Sequence, residues 1–295
     1  VKKPAPVLAL FLGLAVVALA QRTGGGRFGR RGGFGGGNGS TARTAREEPS
    51  GSTGTPDWTN PRGFEREVFT FARIRYGQGG LGVGGYYGRR GGGWHTDAPD
   101  SDLNLSYRLQ QMTSLRVDPN GRYLDLTDPA LADFPWIYIV EPGALGFTEP
   151  EVAALRKYLL NGGFLWFDDF WGEAAWQNVE REMKRVLPDR AFVETSLDHP
   201  LYHCVFNITA KGQIPGIGRW DGPGSSTSER GEESAVVHHR AIWDDKGRLL
   251  VLATHNTDNG DGWEREGENV DYFKTFSEKI AYPLGMNVIF YVMTH

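Results

Sequence analysis

Gly162-Gly163-Phe164-Leu165-Trp166-Phe167-Asp168-Asp169-Phe170-Trp171-Gly172 joins a glycine stop, a short apolar run and a pair of carboxylates. A run this short, with turn residues on both sides, reads as a buried strand that carries charge to an exposed edge. Strand ends are where α/β folds place their sites. Just upstream, Thr148-Glu149-Pro150-Glu151 is a capping box with an early proline. It starts a helix through Val152, Leu155 and Leu159 that stops at Gly162-Gly163. Before that helix, Trp136-Ile137-Tyr138-Ile139-Val140 reads as a second buried strand, so the region is a β-α-β unit.

Working outward, Val68 to Ile74 alternates and is rich in β-formers, which suits a first strand. Leu105, Leu109 and Met112 share helical spacing, predicting a helix over 101–115 with Ser101 or Asp102 as N-cap. A short strand is expected around Tyr123 to Leu126, and an amphipathic helix from Glu173 to Leu187. The second half is more β-like, with strands predicted at 192–194, 205–209, 235–243 and 249–254. Residues 213–233 are glycine, serine and charge and read as a surface insertion, and Ala281 to Thr294 as a closing helix. The fold class is therefore α/β, a mostly parallel sheet with helices on both faces and a β-rich second half.

The ends of the 295-residue chain differ from its middle. Lys2-Lys3, the apolar run Val7 to Ala20 and Ala18-Leu19-Ala20 before Gln21 form the three parts of a secretory signal peptide. That run of 14 residues is short beside the roughly 20 of a spanning helix. Residues 1–20 are thus expected to direct export to the periplasm or the medium, with the membrane a partner only while the segment stays uncleaved. Residues 21–63 are Gly-, Arg- and Ser-rich with few aliphatic side chains, the composition of a disordered tether. One domain is expected over 64–295.

Net charge is −4 with a pI near 6.0, which gives no global attraction to nucleic acid. The arginine-glycine segment around Arg22 to Phe34 resembles an RNA-binding tract, but export argues against that partner, and none is expected. The glycine-rich stretch 77–93 lacks Gly-Lys-Ser/Thr, which excludes a P-loop. Its Gly80-Leu81-Gly82-Val83-Gly84-Gly85 does not keep dinucleotide-binding spacing. Cys204 is the only cysteine, so no internal disulfide can form.

A second polar segment, His255-Asn256-Thr257-Asp258-Asn259-Gly260-Asp261-Gly262-Trp263-Glu264, also follows an apolar run. Two acidic loops are then expected to meet at one rim. Trp stands near acid three times: Trp94 and His95 with Asp97, Trp171 with Asp168 and Asp169, Trp263 with Glu264. Flat aromatic faces beside carboxylates suit sugar rings. The candidate ligand-binding set is therefore Trp94, His95, Asp97, Asp168, Asp169, Trp171, His255, Asn256, Asp258, Asp261, Trp263 and Glu264, with a glycan or an envelope protein as ligand. The structural alternative is that Asp169 caps the following helix while Asp168 accepts hydrogen bonds from a neighbouring loop. No cofactor is expected. His95, Asp97, Asp168, His255, Asp258 and Asp261 are suitable metal ligands by type, but counting from Asn256 the loop has Gly260 at position five and Gly267 at position twelve, which is not a calcium loop.

Taken together, Phe69 with Arg73 and Tyr76, Trp94-His95-Thr96-Asp97-Ala98-Pro99 with Asp102, Gly162-Gly163-Phe164-Leu165 with Asp168-Asp169-Phe170-Trp171, His199-Pro200-Leu201-Tyr202-His203, Asn256-Thr257-Asp258 with Gly260-Asp261-Gly262-Trp263-Glu264, and Tyr282, Gly285 and Asn287 before Thr294-His295 resemble the bacterial family called domain of unknown function 4159. The resemblance runs from Phe69 to His295. It implies a flavodoxin-like fold akin to class I glutamine amidotransferases and brings no established activity. An amidotransferase needs a cysteine on a sharp strand-to-helix elbow; here that turn carries Asp168 and Asp169, and Cys204 enters an apolar segment without an elbow glycine. The expectation is an exported envelope binding or assembly module without the nucleophile, with no catalytic residue assigned. The alternative is a carboxylate- or metal-dependent hydrolase of envelope glycans.

Overall fold

A computed structural model describes residues 40–63, 67–77 and 93–295. The expected signal peptide over 1–20, residues 21–39 of the expected tether and residues 78–92 of the glycine-rich stretch lie outside the described residues.

Among the described residues seven strands form one sheet, in the spatial order 122–125, 72–75, 136–140, 164–170, 249–255, 238–243 and 193–194. Strands β1 (Ala72–Arg75), β2 (Arg122–Asp125), β3 (Trp136–Val140), β4 (Phe164–Phe170) and β7 (Leu249–His255) run parallel. Their order is that of a flavodoxin-like sheet. On the far side β6 (His238–Trp243) pairs antiparallel with β7, and β5 (Val193–Glu194) with β6, which accounts for the β-rich second half.

Alternation along the strands sorts the core into two layers. Ile137, Ile139, Leu165 and Phe167 pack with Leu155 and Leu159 of α2 (Glu149–Leu160) and with Val179 and Met183 of α3 (Glu173–Val186). Trp136, Tyr138, Phe164 and Trp166 face the opposite way. They meet Leu105 and Leu109 of α1 (Asp100–Met112) and Val288 and Ile289 of α6 (Tyr282–Thr294). Helices thus cover both faces. The capping box at Thr148 and Glu151 forms as the sequence predicts. Among the described residues no helix is long and apolar enough to cross a membrane.

Several expectations are corrected. Residues 40–63 are not a free tether. Ser50 and the amides of Gly51 and Ser52 bind the Asp100 carboxylate, Arg46 reaches the Pro119 and Thr55 carbonyls, and the Trp58 indole donates to Val117 O. Composition missed this because the attachment uses polar contacts more than apolar area. Helix α1 begins at Asp100 with Pro99 in the cap position and no side-chain cap, since Asp102 turns inward to Arg73. Residues 205–209 form no strand; the Val205 and Phe206 amides donate to the Asn287 side chain, which supplies what a neighbouring strand would. The polar segment after β7 holds a short helix, α4 (Asn259–Glu264). The closing helix starts earlier than predicted, as α5 (Val270–Tyr272) and a π-helical stretch Phe273–Ala281 lead into α6.

Candidate functional site

The parallel strands end on one edge, and the chain is bent unusually there. Glu141 follows β3, Asp169 is the penultimate residue of β4, Asn256 follows β7 and Asp97 lies in the turn before α1; all four have positive φ, at 47°, 52°, 64° and 63°. For residues with a β-carbon this region costs energy, and it concentrates at functional sites. In β4 the register advances from Phe167 opposite Ala253 to Phe170 opposite His255, so one extra residue bulges out. The bulge separates the two carboxylates.

Asp168 keeps the parity of Phe164 and Trp166 and stays under α4. It accepts from Tyr138 Oη at 2.8 Å, Thr254 Oγ1 at 2.5 Å, Asn259 Nδ2 at 2.8 Å and the Gly260 amide at 3.1 Å. Burial raises its pKa, and these four donors oppose the rise. Asp168 therefore anchors the start of α4 to the sheet.

Asp169 is redirected toward the rim. It does not cap α3, whose N-cap is Gly172; its Oδ1 accepts from the Trp171 indole at 2.9 Å. Carboxylate oxygens of Asp97, Asp169 and Asp258 lie within 4.8 Å of one another, and so do those of Asp97, Asp261 and Glu264. Asp258 caps α4 by accepting from the Asp261 amide at 2.7 Å. Asp261 accepts from the Ile217 amide and from Arg265 Nε at 3.0 Å, and Arg265 also pairs with Glu264 at 2.8 Å.

Burial is the main cause of the electrostatics here. It pushes the carboxyls of Asp97, Asp169 and Asp258 well above the usual range, with added repulsion on Asp97 from Asp261, on Asp169 from Glu141 and on Asp258 from Asp169. Glu264 is pushed up to about 11 by burial and then by Asp97 and Asp261.

The other predicted residues divide clearly. His95 pairs with Glu48, away from the acids. His255 directs Nε2 to Gly172 O at 3.0 Å, accepts at Nδ1 from Arg240, and is held neutral by burial, its pKa down to about 3. Asn256 accepts from the Gly172 amide and donates to Val236 O, fixing the turn after β4. The indoles of Trp94, Trp171 and Trp263 are 6%, 2% and 0% exposed, so they do not offer the open stacking faces expected from sequence. Trp263 instead packs against Trp166 and Tyr138, with centroids 5.5 and 5.9 Å away.

Sequence reasoning missed four contributors. Glu141 has a legible signal, since it directly follows an apolar strand; burial raises it to about 7. Glu229 comes from the expected surface insertion, which instead folds across the rim: its Oε1 accepts from the Gly216 amide at 2.8 Å, and Asp258 donates its amide to Ile214 O at 3.0 Å. Arg265 supplies the counter-charge, and Gly260 supplies room, since a β-carbon there would stand 2.1 Å from Asp97 Oδ2. Cys204 lies elsewhere, its Sγ 3.3 Å from Asn287 O, with burial raising the thiol pKa.

Arg73 ties the site to the sheet. Its guanidinium donates to Asp102 at 3.0 and 3.1 Å, to Trp94 O at 3.0 Å and to Thr96 O at 2.9 Å, holding the turn that presents Asp97. A family model described as domain of unknown function (DUF4159) matches residues 70–293. No curated protein matches the chain.

Proposed function

The chain belongs to the DUF4159 family of domains of unknown function, and we propose that it is an exported binding module of the bacterial cell envelope, amidotransferase-like in fold but without the nucleophile. The observation that carries this is convergence: Asp97 from the turn before α1, Asp169 from β4, and Asp258, Asp261 and Glu264 from α4 and its cap come together at one edge of the sheet. Five acids in one place favour a ligand that presents positive charge, such as a cation or an amine-bearing peptide or glycan. Export rests on the sequence of residues 1–20, and the absence of amidotransfer on carboxylates standing where an elbow cysteine would be needed.

A thermal-shift screen of the purified protein against inorganic cations, polyamines and amine-bearing envelope fragments tests this reading. Stabilisation that disappears in Asp97→Asn and Asp258→Asn is expected. If every ligand leaves the melting temperature unchanged, the rim is not a binding site. The second reading, hydrolysis of envelope glycans, draws on Glu141, whose pKa of about 7 suits a general acid or base. Turnover of a glycan by the wild type and its loss in Glu141→Gln would favour it.

A further inference from the structure

The geometry points to one hard divalent cation, of the magnesium, manganese or calcium class, held by Asp97, Asp169 and Asp258; this rests on the acidic rim being the binding site. Two carboxylate triads share Asp97, and they differ in how their charge is met. The triad with Asp261 and Glu264 has its own cation, since Arg265 lies 3.0 Å from one and 2.8 Å from the other. Among the described residues no basic side chain forms an ion pair with Asp97, Asp169 or Asp258. Asp169 is met by the neutral Trp171 indole and Asp258 by a backbone amide.

A separate observation concerns a single atom. Asp97 is 8% exposed, and its Oδ2 is buried with no hydrogen-bond partner. Ionised, this oxygen lacks a donor, and a buried polar atom left unsatisfied is what native structures avoid. A cation between the three carboxylates satisfies it and removes the repulsion among them. Glycine at 260 keeps the space, because a β-carbon would fall 2.1 Å from this same oxygen.

The donor set selects the ion class. All three side chains offer oxygen, the imidazoles of His95 and His255 are engaged elsewhere, and the thiol of Cys204 is bound at α6. Oxygen-only sites favour magnesium, calcium and manganese over zinc or copper. Three protein carboxylates leave further coordination positions, which water or a polar ligand can take.

The test uses the full chain, stripped with EDTA and titrated with Mn2+ while free ion is followed by electron paramagnetic resonance. One Mn2+ per chain, displaced by Mg2+ or Ca2+, is expected. Asp169→Asn and Asp258→Asn should each weaken it at least tenfold, while Asp125→Asn on the far strand β2 should not. Asparagine is near-isosteric and also caps helices, so both variants should fold, and in EDTA they should melt at or above the wild-type temperature because repulsion is relieved. Absence of stoichiometric uptake, or uptake indifferent to both rim variants, overturns the cation site. If spermidine then stabilises the wild type and not Asp258→Asn, the ion is refuted while the binding rim stands; if neither ligand acts, both fall.

Discussion

Replacing Arg73 with methionine should be the most damaging single change in the described fold that touches no rim carboxylate. Arg73 and Asp102 are both 0% exposed. The guanidinium donates to Asp102, Ser101 Oγ and the carbonyls of Trp94 and Thr96, and lies 5.2 Å from the centre of the Tyr138 ring. Methionine fills much of the volume but leaves Asp102 buried with Ser101 Oγ as its remaining side-chain donor at 2.9 Å. Breaking one side of a buried ion pair costs about 3–5 kcal/mol. For a domain of this size each kcal/mol moves the melting point about 2–4 °C, so a fall of about 10 °C is expected. Urea denaturation of wild type, Arg73→Met, Asp102→Leu and the double variant gives the coupling. The double variant should recover at least half of the loss, because two apolar groups replace a pair whose desolvation was already costly. A single-variant loss below about 1 kcal/mol, or simple additivity in the double variant, would refute the account.

Other consequences follow from the same geometry. Asp168→Asn places an amide among the Tyr138, Thr254, Asn259 and Gly260 donors and should cost about 2 kcal/mol or more in urea titration. Gly260→Ala should shift stability by no more than about 1 kcal/mol, since alanine favours helix, yet weaken Mn2+ binding at least tenfold by displacing Asp97; unchanged binding would remove the steric argument. His239 and His255 are both held near 3 by burial, against an unfolded value near 6.5. The unfolded chain takes up those protons first, so stability is present above pH 6.5 and falls as pH drops toward 3, by about 1.4 kcal/mol per pH unit for each imidazole. Glu141 acts with the opposite sign, since a carboxyl raised to about 7 loses its contribution as pH rises from 4.5 to 7. Melting curves from pH 5 to 8 separate the two: relative to the wild type, His255→Gln should lose part of the fall on acidification and Glu141→Gln should deepen it, and a His255→Gln profile parallel to the wild type would exclude the neutral imidazole. Cys204→Ser should leave stability and ligand binding unchanged within about 1 kcal/mol, and loss of function in a folded variant would reopen a role for the thiol.

The elements legible in the sequence were those whose signals are local. The capping box at Thr148, the glycine stop at Gly162-Gly163 and the five-residue apolar run from Trp136 each fix backbone or burial through immediate neighbours, so β3, α2 and β4 were readable in order. The strand-end rule likewise found Asp168, Asp169 and the Asn256 to Glu264 segment. What the chain order could not reveal was which way adjacent acids point. A one-residue bulge sends Asp169 to the rim and leaves Asp168 beneath α4, and only pairing with β7 creates that bulge. The burial of Trp94, Trp171 and Trp263, the folding of the 213–233 insertion over the acids, and the docking of residues 40–63 also depend on contacts between distant segments. Composition therefore determined that charge would reach a strand edge. Tertiary packing decided that this charge would be buried, mutually repelling and paired with Arg265 at Asp261 and Glu264, while among the described residues Asp169 and Asp258 have no ion-pair partner, because burial and proximity are properties of the assembled layers and not of any one segment.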